Sequence, residues 1–214
     1  MEENLIKIEN ILATNEPIKV EEKTFEKLMF IYSVAIKELT TKLEILKDEF
    51  LVFYNYELID HLKTRIKKPH SIIKKMQDKN CELTYEKMIQ NINDIAGVRV
   101  IVPLKNDIYT IRNLISGVPG IHILKEKDYV TNPKKSGYMS YHLIVEIPIN
   151  LSQKLIYVKV EIQIRTIAMD FWASIEHKAK YKTKDKPSKK TSKELIECAK
   201  MISKIDDKMM YLKT

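Results

Sequence analysis

Apolar residues return at steps of mostly three and four from Thr24 to Leu62: Phe25, Leu28, Tyr32, Ala35, Leu39, Leu43, Leu46, Phe50, Phe53 and Leu58. That spacing falls on one face of a helix and predicts a single long helix over 24–62. A shorter helix is expected over 4–13. Pro69 suits the first position of another, from His70 to about Lys79, because its missing N–H is one that a helix start leaves unpaired. Thr84 is placed to cap a short helix ending near Gln90. The period then changes. "AGVRVIV" (96–102) is a short β-branched strand stopped by Pro103. Helical spacing resumes over 105–115 through Ile108, Ile111 and Ile115, and Gly117 closes it. A strand over Ile121–Leu124 leads into a basic loop. Two longer runs, 138–149 and 155–164, alternate apolar and polar residues. Their hairpin-length connection makes them antiparallel neighbours. A helix carrying Phe171, Trp172, Ile175 and Ala179 follows. A lysine-rich link over 182–190 then leads to an amphipathic helix with Leu195, Ala199, Ile202, Ile205 and Met209. Helices, a sheet with one interrupting helix, then helices again make an α+β fold with helical extensions at both ends.

Parity along the strands sorts their side chains into two faces. If Val98, Val100 and Val102 pack on helices, Arg99 points the other way. By the same rule His142 shares a face with Ser140, and Glu161 shares one with Lys159, Gln163 and Arg165. Three strands therefore offer one apolar face and one face bearing Arg99, His142, Glu161 and Gln163. A solvated outer face explains such a row without any ligand, because antiparallel sheets commonly wet one side.

Composition narrows the ligand. The 214 residues carry 37 Lys and Arg against 29 Asp and Glu, a formal net charge of +8. That balance favours a polyanion: nucleic acid, an anionic membrane, or nucleotides with several phosphates. No run of 18 apolar residues marks a membrane span, and the mixed-charge N-terminus lacks an apolar signal core. Cys81 and Cys198 stand apart without metal-type spacing, which suits a reducing cytoplasm.

The loops sharpen the picture. Asp94 stands just before the first strand, and Gly97 lets a backbone or ligand approach there. Asp94 with Glu161 can hold Mg²⁺, a hard cation that accepts one or two carboxylates beside waters and substrate phosphates. Each acid also has a plainer role, Asp94 as a turn former and Glu161 as the ion-pair partner of Lys159. In "RIKKPHSIIKK" (65–75), Lys67, Ser71 and Lys75 lie four apart on one helix face with Arg65 at its start. With the free N–H groups of the helix start they form an anion site suited to a triphosphate, or else a solvated basic helix. Lys125, Lys127, Lys134 and Lys135 can neutralise phosphates while Tyr138 offers a π face to a base. The plainer alternative is an ordinary strand-edge aromatic.

"RIKKPHSIIKKM", "DIAGVRVIV", "KDYVTNPKKSGYMSYHLIVEI" and "VKVEIQIRTIAMDFWASIEHKAKYK" together resemble the synthetase domain of the RelA/SpoT family, and more closely its short members, the small alarmone synthetases. The resemblance covers about 60–182. It implies a chain that is nearly all synthetase, divided into an N-terminal helical extension (1–62), a catalytic domain (63–182) and a C-terminal linker and helix (183–214). It implies a nucleotidyltransferase-like mixed sheet flanked by helices. The implied activity is transfer of the β,γ-pyrophosphate of ATP to the 3′-hydroxyl of GDP or GTP. By that resemblance Arg65 and Arg99 flank adenine, and Lys67, Ser71 and Lys75 hold the ATP phosphates. Asp94 and Glu161 bind Mg²⁺, with Glu161 also taking the 3′-hydroxyl proton. Tyr138 stacks on guanine, while Lys127, Lys134, His142 and Gln163 serve the guanine nucleotide's side of the site. Asp170, starting the helix after the Glu161 strand, is expected to read the guanine edge.

The guanine loop departs from the family pattern. Lys134-Lys135-Ser136-Gly137-Tyr138 lacks the proline of many relatives, which leaves the choice between GDP and GTP open. A cytoplasmic homotetramer built through the terminal helices, with weak RNA contact and no membrane or DNA partner, completes the expectation. Two rival functions remain: a toxin-like relative that acts on tRNA or makes adenosine alarmones, and a non-catalytic nucleotide- or RNA-binding module.

Overall fold

A computed structural model describes residues 6–7, 22–182 and 188–212. The elements are β1 (Ile6–Lys7), α1 (Glu22–Tyr54), β2 (His61–Ile66), α2 (Pro69–Asp78), α3 (Tyr85–Asn91), β3 (Ala96–Val102), α4 (Lys105–Gly117), β4 (His122–Asp128), β5 (Tyr141–Leu151), β6 (Lys154–Thr166), α5 (Ile167–Lys182) and α6 (Lys189–Met210). The sheet runs β2-β3-β6-β5-β4, with β1 added beside β6. β3 and β1 lie parallel to β6, and the remaining neighbours are antiparallel. The result is a mixed sheet flanked by helices.

The core lies on the sheet face formed by Val98, Val100, Val102, Leu143, Val145, Ile147, Val160, Ile162 and Ile164. Leu28, Tyr32, Ala35 and Leu39 of α1, with Ile108, Ile111 and Ile115 of α4, are buried in the same cluster. The β5–β6 hairpin forms as expected, Leu151 pairing with Lys154 across a two-residue turn. Thr84 caps α3 by accepting the Lys87 N–H at 3.2 Å, and Pro69 opens α2.

Four local expectations are corrected. The helix expected over 24–62 ends at Tyr54, where Asn55 takes φ 48°; Leu58 is buried from an extended segment, and β2 follows. Ile6–Lys7 is a strand pairing with Ile156 and Tyr157, not helix, while the rest of 4–13 lies outside the described residues. The strand expected over 121–124 continues to Asp128, so Lys125 and Lys127 sit on β4 and not in a loop. On α6, Ile205 and Met209 face outward; Ala199 and Asp206 are buried instead.

β4 owes its orientation to a register shift between Ile123 and Lys125. Ile123 pairs with Val145, on the core side. One extra residue at Leu124 reverses the parity, and Lys125 then pairs with Ile144 and Lys127 with His142. A bulge of this kind re-aims every side chain beyond it. Two lysines are thereby turned from the core face to the polar one.

Candidate active site

Strand register lines up the polar face in two rows. Lys63, Arg99, Gln163, His142 and Lys127 pair in sequence across β2, β3, β6, β5 and β4. Arg65, Gly97, Glu161, Ile144 and Lys125 form the next row by the same pairings. Above them runs a cleft with three connected parts. The largest, about 570 Å³, is lined by Lys75, Asp94, Lys127, Lys134, Tyr138 and Glu161 among others. One of about 230 Å³ lies over Gly97 and Arg99. A third, about 410 Å³, reaches Arg165, Ala173 and Glu176 under α5. Arg65 and Gln163 line all three. A Cβ on Gly97 would sit 3.9 Å from Arg65 Cγ, so glycine keeps the floor between Arg65 and Glu161 low.

The two acids sit in this cleft among cations and donors. Asp94 Oδ2 accepts from Lys67 Nζ at 2.6 Å and Lys75 Nζ at 2.8 Å. Burial pushes the Asp94 carboxyl up, but the hydrogen bonds and charges of both lysines outweigh it and hold the group below its usual value. Its other oxygen, Oδ1, is buried and has no hydrogen-bond partner. Glu161 Oε2 accepts from Gln163 Nε2 at 2.7 Å, and Oε1 lies 3.2 Å from His142 Nδ1. Burial raises the Glu161 carboxyl, His142 and Gln163 lower it, and the balance falls below the usual value; the Asp94 charge works the other way. Lys159 does not pair with Glu161; it reaches the Ile89 carbonyl at 3.5 Å.

These acids fit a hard divalent cation. Two ionised carboxylates face one cleft, one with a buried, unpartnered oxygen, and cations stand ready for phosphates. Among the described residues no group of three His, Cys, Asp or Glu could form a protein-only cage. That donor set matches Mg²⁺ shared between protein and substrate phosphates.

Tyr138 anchors the other end of the cleft. Its hydroxyl accepts from Arg165 Nη2 at 2.6 Å and lies 2.8 Å from His142 Nε2, so Arg165, Tyr138, His142 and Glu161 form one chain of contacts. The Lys134 ammonium stands 4.7 Å from the Tyr138 ring and 4.6 Å from that of Tyr129. Tyr129 also meets His142 edge-on at 5.3 Å.

The expected residues divide by placement. Arg65, Lys75, Asp94, Arg99, Lys127, Lys134, Tyr138, His142, Glu161 and Gln163 all line the cleft, and Lys67 reaches it through Asp94. Ser71 stands back, half-buried on α2, with its amide donating to the Lys68 carbonyl at 2.9 Å. Asp170 departs furthest from expectation. It is 5% exposed and accepts from Lys63 and Arg99 at 2.9 Å each and from Arg165 at 3.3 Å. Burial raises this carboxyl, but Lys63, Arg99 and Arg165 together hold it below its usual value. It ties three cations down and lines none of the three cleft parts. Lys63, Tyr129, Arg165 and Glu176 are among the lining or supporting residues missed as site members. Parity alone had already put Arg165 on the right face.

A mixed sheet with a cationic cleft, two acids and an aromatic platform is a site suited to phosphorylated nucleotides and a divalent cation. The chain belongs to the RelA/SpoT family: the model for a region found in RelA / SpoT proteins matches residues 64–186. It is 43% identical over 185 residues to the GTP pyrophosphokinase YwaC of Bacillus subtilis, covering 86% of this chain and 88% of that one. The crystal structure of small alarmone synthetase 2 from Bacillus subtilis superposes with a TM-score of 0.80 at 41% identity, covering 88% of this chain and 97% of that one. Small alarmone synthetase 1 of the same organism, bound to its product pppGpp, gives 0.83 at 31% identity, with 89% and 97% covered.

Proposed function

We propose that this protein is a GTP pyrophosphokinase, moving the β,γ-pyrophosphate of ATP to the 3′-hydroxyl of GDP or GTP and releasing AMP. The observation that carries it is the pair Asp94 and Glu161 facing one cleft among Lys67, Lys75, Lys127 and Lys134, in a chain of this family. Arg65 and Arg99, neighbours on the cleft floor, take adenine. Lys67 and Lys75 leave Asp94 for the ATP phosphates, and Ser71 supports them from the helix behind. Asp94 and Glu161 hold Mg²⁺, which when bound neutralises phosphate charge in a transfer that depends mostly on positioning. Tyr138 stacks on guanine, and Lys127 and Lys134 meet the acceptor's phosphates. His142 and Gln163 fix the Glu161 carboxylate. The 3′-oxygen then forms its bond to the β-phosphorus as the bridge to the α-phosphate breaks. Glu161 takes the hydroxyl proton, and AMP leaves with the bridging oxygen.

Guanine presents N–H donors that need an acceptor. Glu176, lining the cleft beside Tyr138, replaces Asp170 in that role. Exposed apolar side chains on α1 and α6 support a homo-oligomer, a tetramer by likeness to the short synthetases. No helix among the described residues is long and apolar enough to cross a membrane; a cytoplasmic enzyme is the accompanying proposal.

The test mixes the protein, Mg²⁺ and γ-labelled ATP with GDP, GTP, GMP or bulk tRNA. Label is expected on GDP or GTP. Label on tRNA alone would overturn the assignment.

A further inference from the structure

The loop that carries Tyr138 is held from outside the cleft. Its turn closes locally, the Gly137 N–H donating to the Lys134 carbonyl at 2.8 Å and the Lys134 N–H to the Tyr138 carbonyl at 3.1 Å. Gly137 takes φ 89°, a conformation that disfavours any side chain. It also has no room for one. A Cβ there would lie 2.7 Å from Ala199 Cβ, 3.4 Å from Trp172 Cζ2 and 3.5 Å from Ile196 Cα. Ala199 and Ile196 belong to α6, which thus presses directly on the peptide preceding Tyr138. Trp172 of α5 completes the contact, its indole N–H donating to the Leu195 carbonyl of α6 at 2.8 Å. Trp172, Ala173 and Ala199 form a small buried cluster apart from the main core, with Tyr138, Leu195 and Ile202 packed against it.

α6 is itself fixed at its far end. Thr166, where β6 gives way to α5, donates its hydroxyl to buried Asp206 at 2.7 Å. Lys105 of α4 reaches Asp207 at 2.7 Å and Ser203 at 3.1 Å. The helix is anchored at one end and presses on the loop at the other. None of Leu195, Ile196 and Ala199 lines any part of the cleft.

We propose that α6 is a positioning element of the acceptor site. Through Ala199 and Leu195 it clamps Gly137 and Trp172, sets the placement of the Tyr138 ring, and so tunes affinity for the guanine nucleotide without touching it. This rests on Tyr138 as the guanine platform. A site residue must be held within about 0.5 Å to work, by neighbours whose own positions are locked. The clamp is expected to act on one substrate, because Arg65, Lys67 and Lys75 are not among the residues that meet Gly137 or pack on the small cluster.

The experiment compares Ala199→Leu, Ala199→Ser and Tyr138→Ala, with Ala199→Leu also made in the Tyr138→Ala background. Overpacking at Ala199 should raise the acceptor KM about tenfold and leave the ATP KM within about twofold. Ala199→Ser should stay close to wild type, and Ala199→Leu should add little once the Tyr138 ring is gone. Trp172 is the sole tryptophan, so its emission reports the clamp in the unmodified protein. GDP or GTP should shift it, and a non-hydrolysable ATP analogue should not. If Tyr138→Ala raises the acceptor KM and Ala199→Leu does not, the clamp is rejected and the role of Tyr138 stands. An acceptor KM indifferent to Tyr138→Ala removes that role and the clamp with it. Should Ala199→Leu fail to fold, a Trp172 signal that ignores the acceptor, or answers equally to both nucleotides, overturns the proposal.

Discussion

Each principal side chain of the cleft is tuned by one or two named partners, so single substitutions should separate their roles. Glu161 is kept ionised by His142 and Gln163, and in the proposed mechanism it receives the 3′-hydroxyl proton. Glu161→Gln should lower kcat roughly 10²–10⁴-fold, the usual worth of a positioned acid or base, with far less change in ATP affinity. A variant within a few-fold of wild type in single-turnover assays removes Glu161 from the chemistry. Tyr138 supplies a ring and a hydroxyl. Tyr138→Ala should weaken the guanine nucleotide by about 1–3 kcal/mol, the usual loss of a stacked base, whereas Tyr138→Phe keeps the ring and loses only the contacts to Arg165 and His142. Glu176→Gln should raise the acceptor KM about tenfold, as expected for losing hydrogen bonds to a charged acceptor.

Asp170 should behave differently. Its folded-state value is depressed, so its stabilising contribution is present above the ordinary aspartate range and is lost as pH falls through the lowered value. Asp170→Asn should cost about 3 kcal/mol at pH 7, because it leaves Arg99 and Arg165 without their counter-charge. Thermal melts of variant and wild type should converge as pH drops below about 4. A constant gap at every pH would mean that the charge is immaterial.

Among the elements, those with a strong period were legible and those set by tertiary pairing were not. The β5–β6 hairpin, α2, α3 and β3 follow from alternation, Pro69, Thr84 and a β-branched run. Parity placed Arg99, His142, Glu161 and Gln163 together, because a strand leaves no freedom in which side a residue faces. β2 was missed because Leu58 continues the helical spacing past Tyr54. The signal was present in the alternation of Leu62, Thr64 and Ile66 with Lys63 and Arg65. The bulge at Leu124 leaves no local mark, since it is fixed by pairing with β5, and the placement of Lys125 and Lys127 depended on it. Asp170 stands off the cleft lining, contrary to expectation, because nearness along the chain does not say which way a helix turns its first residues. Here they turn towards Arg165 and Arg99, and Glu176, two turns on, overhangs the cleft.

The inner stripe of α6 shows the same limit. Asp206 is polar by composition and buried in fact, and burial raises its carboxyl above the usual value despite the Thr166 hydroxyl and the Lys105 charge. A raised acid stabilises the fold only while protonated, and that contribution is lost as pH rises through its value. At neutral pH the ionised form is therefore a cost. Asp206→Asn keeps an acceptor for Thr166 and removes the buried charge, so its melting temperature at pH 7 should equal or exceed that of wild type. Asp206→Ala, which leaves the Thr166 hydroxyl donor without its acceptor, should lower it. A clear loss in Asp206→Asn would mean that pairing with Lys105 outweighs desolvation.

On the scale of the whole molecule, α1 divides into two halves with different partners. Leu28, Tyr32, Ala35, Leu39 and Leu43 are buried in the sheet's core. Beyond Leu43 the same helix shows Ile45, Leu51, Val52 and Phe53 to the outside, Phe53 78% exposed. Met201, Ile205 and Met209 do likewise on α6. Soluble monomers rarely keep contiguous apolar patches beyond a few hundred Å², and a second copy of the chain is the partner that the proposed oligomer supplies. A charge placed in such a patch opposes association without touching the core beneath Leu39 and Leu43. Phe53→Glu, combined with Val52→Lys, should therefore bring the mass in solution down from a multiple of 25.2 kDa to 25.2 kDa itself. The melting temperature extrapolated to low protein concentration should not fall, because neither side chain is buried within the protomer. Light scattering across a range of concentrations reads the first quantity and thermal melts the second. A wild type that is monomeric throughout, or a double variant that stays multimeric, would show that this half of α1 is not where the copies meet.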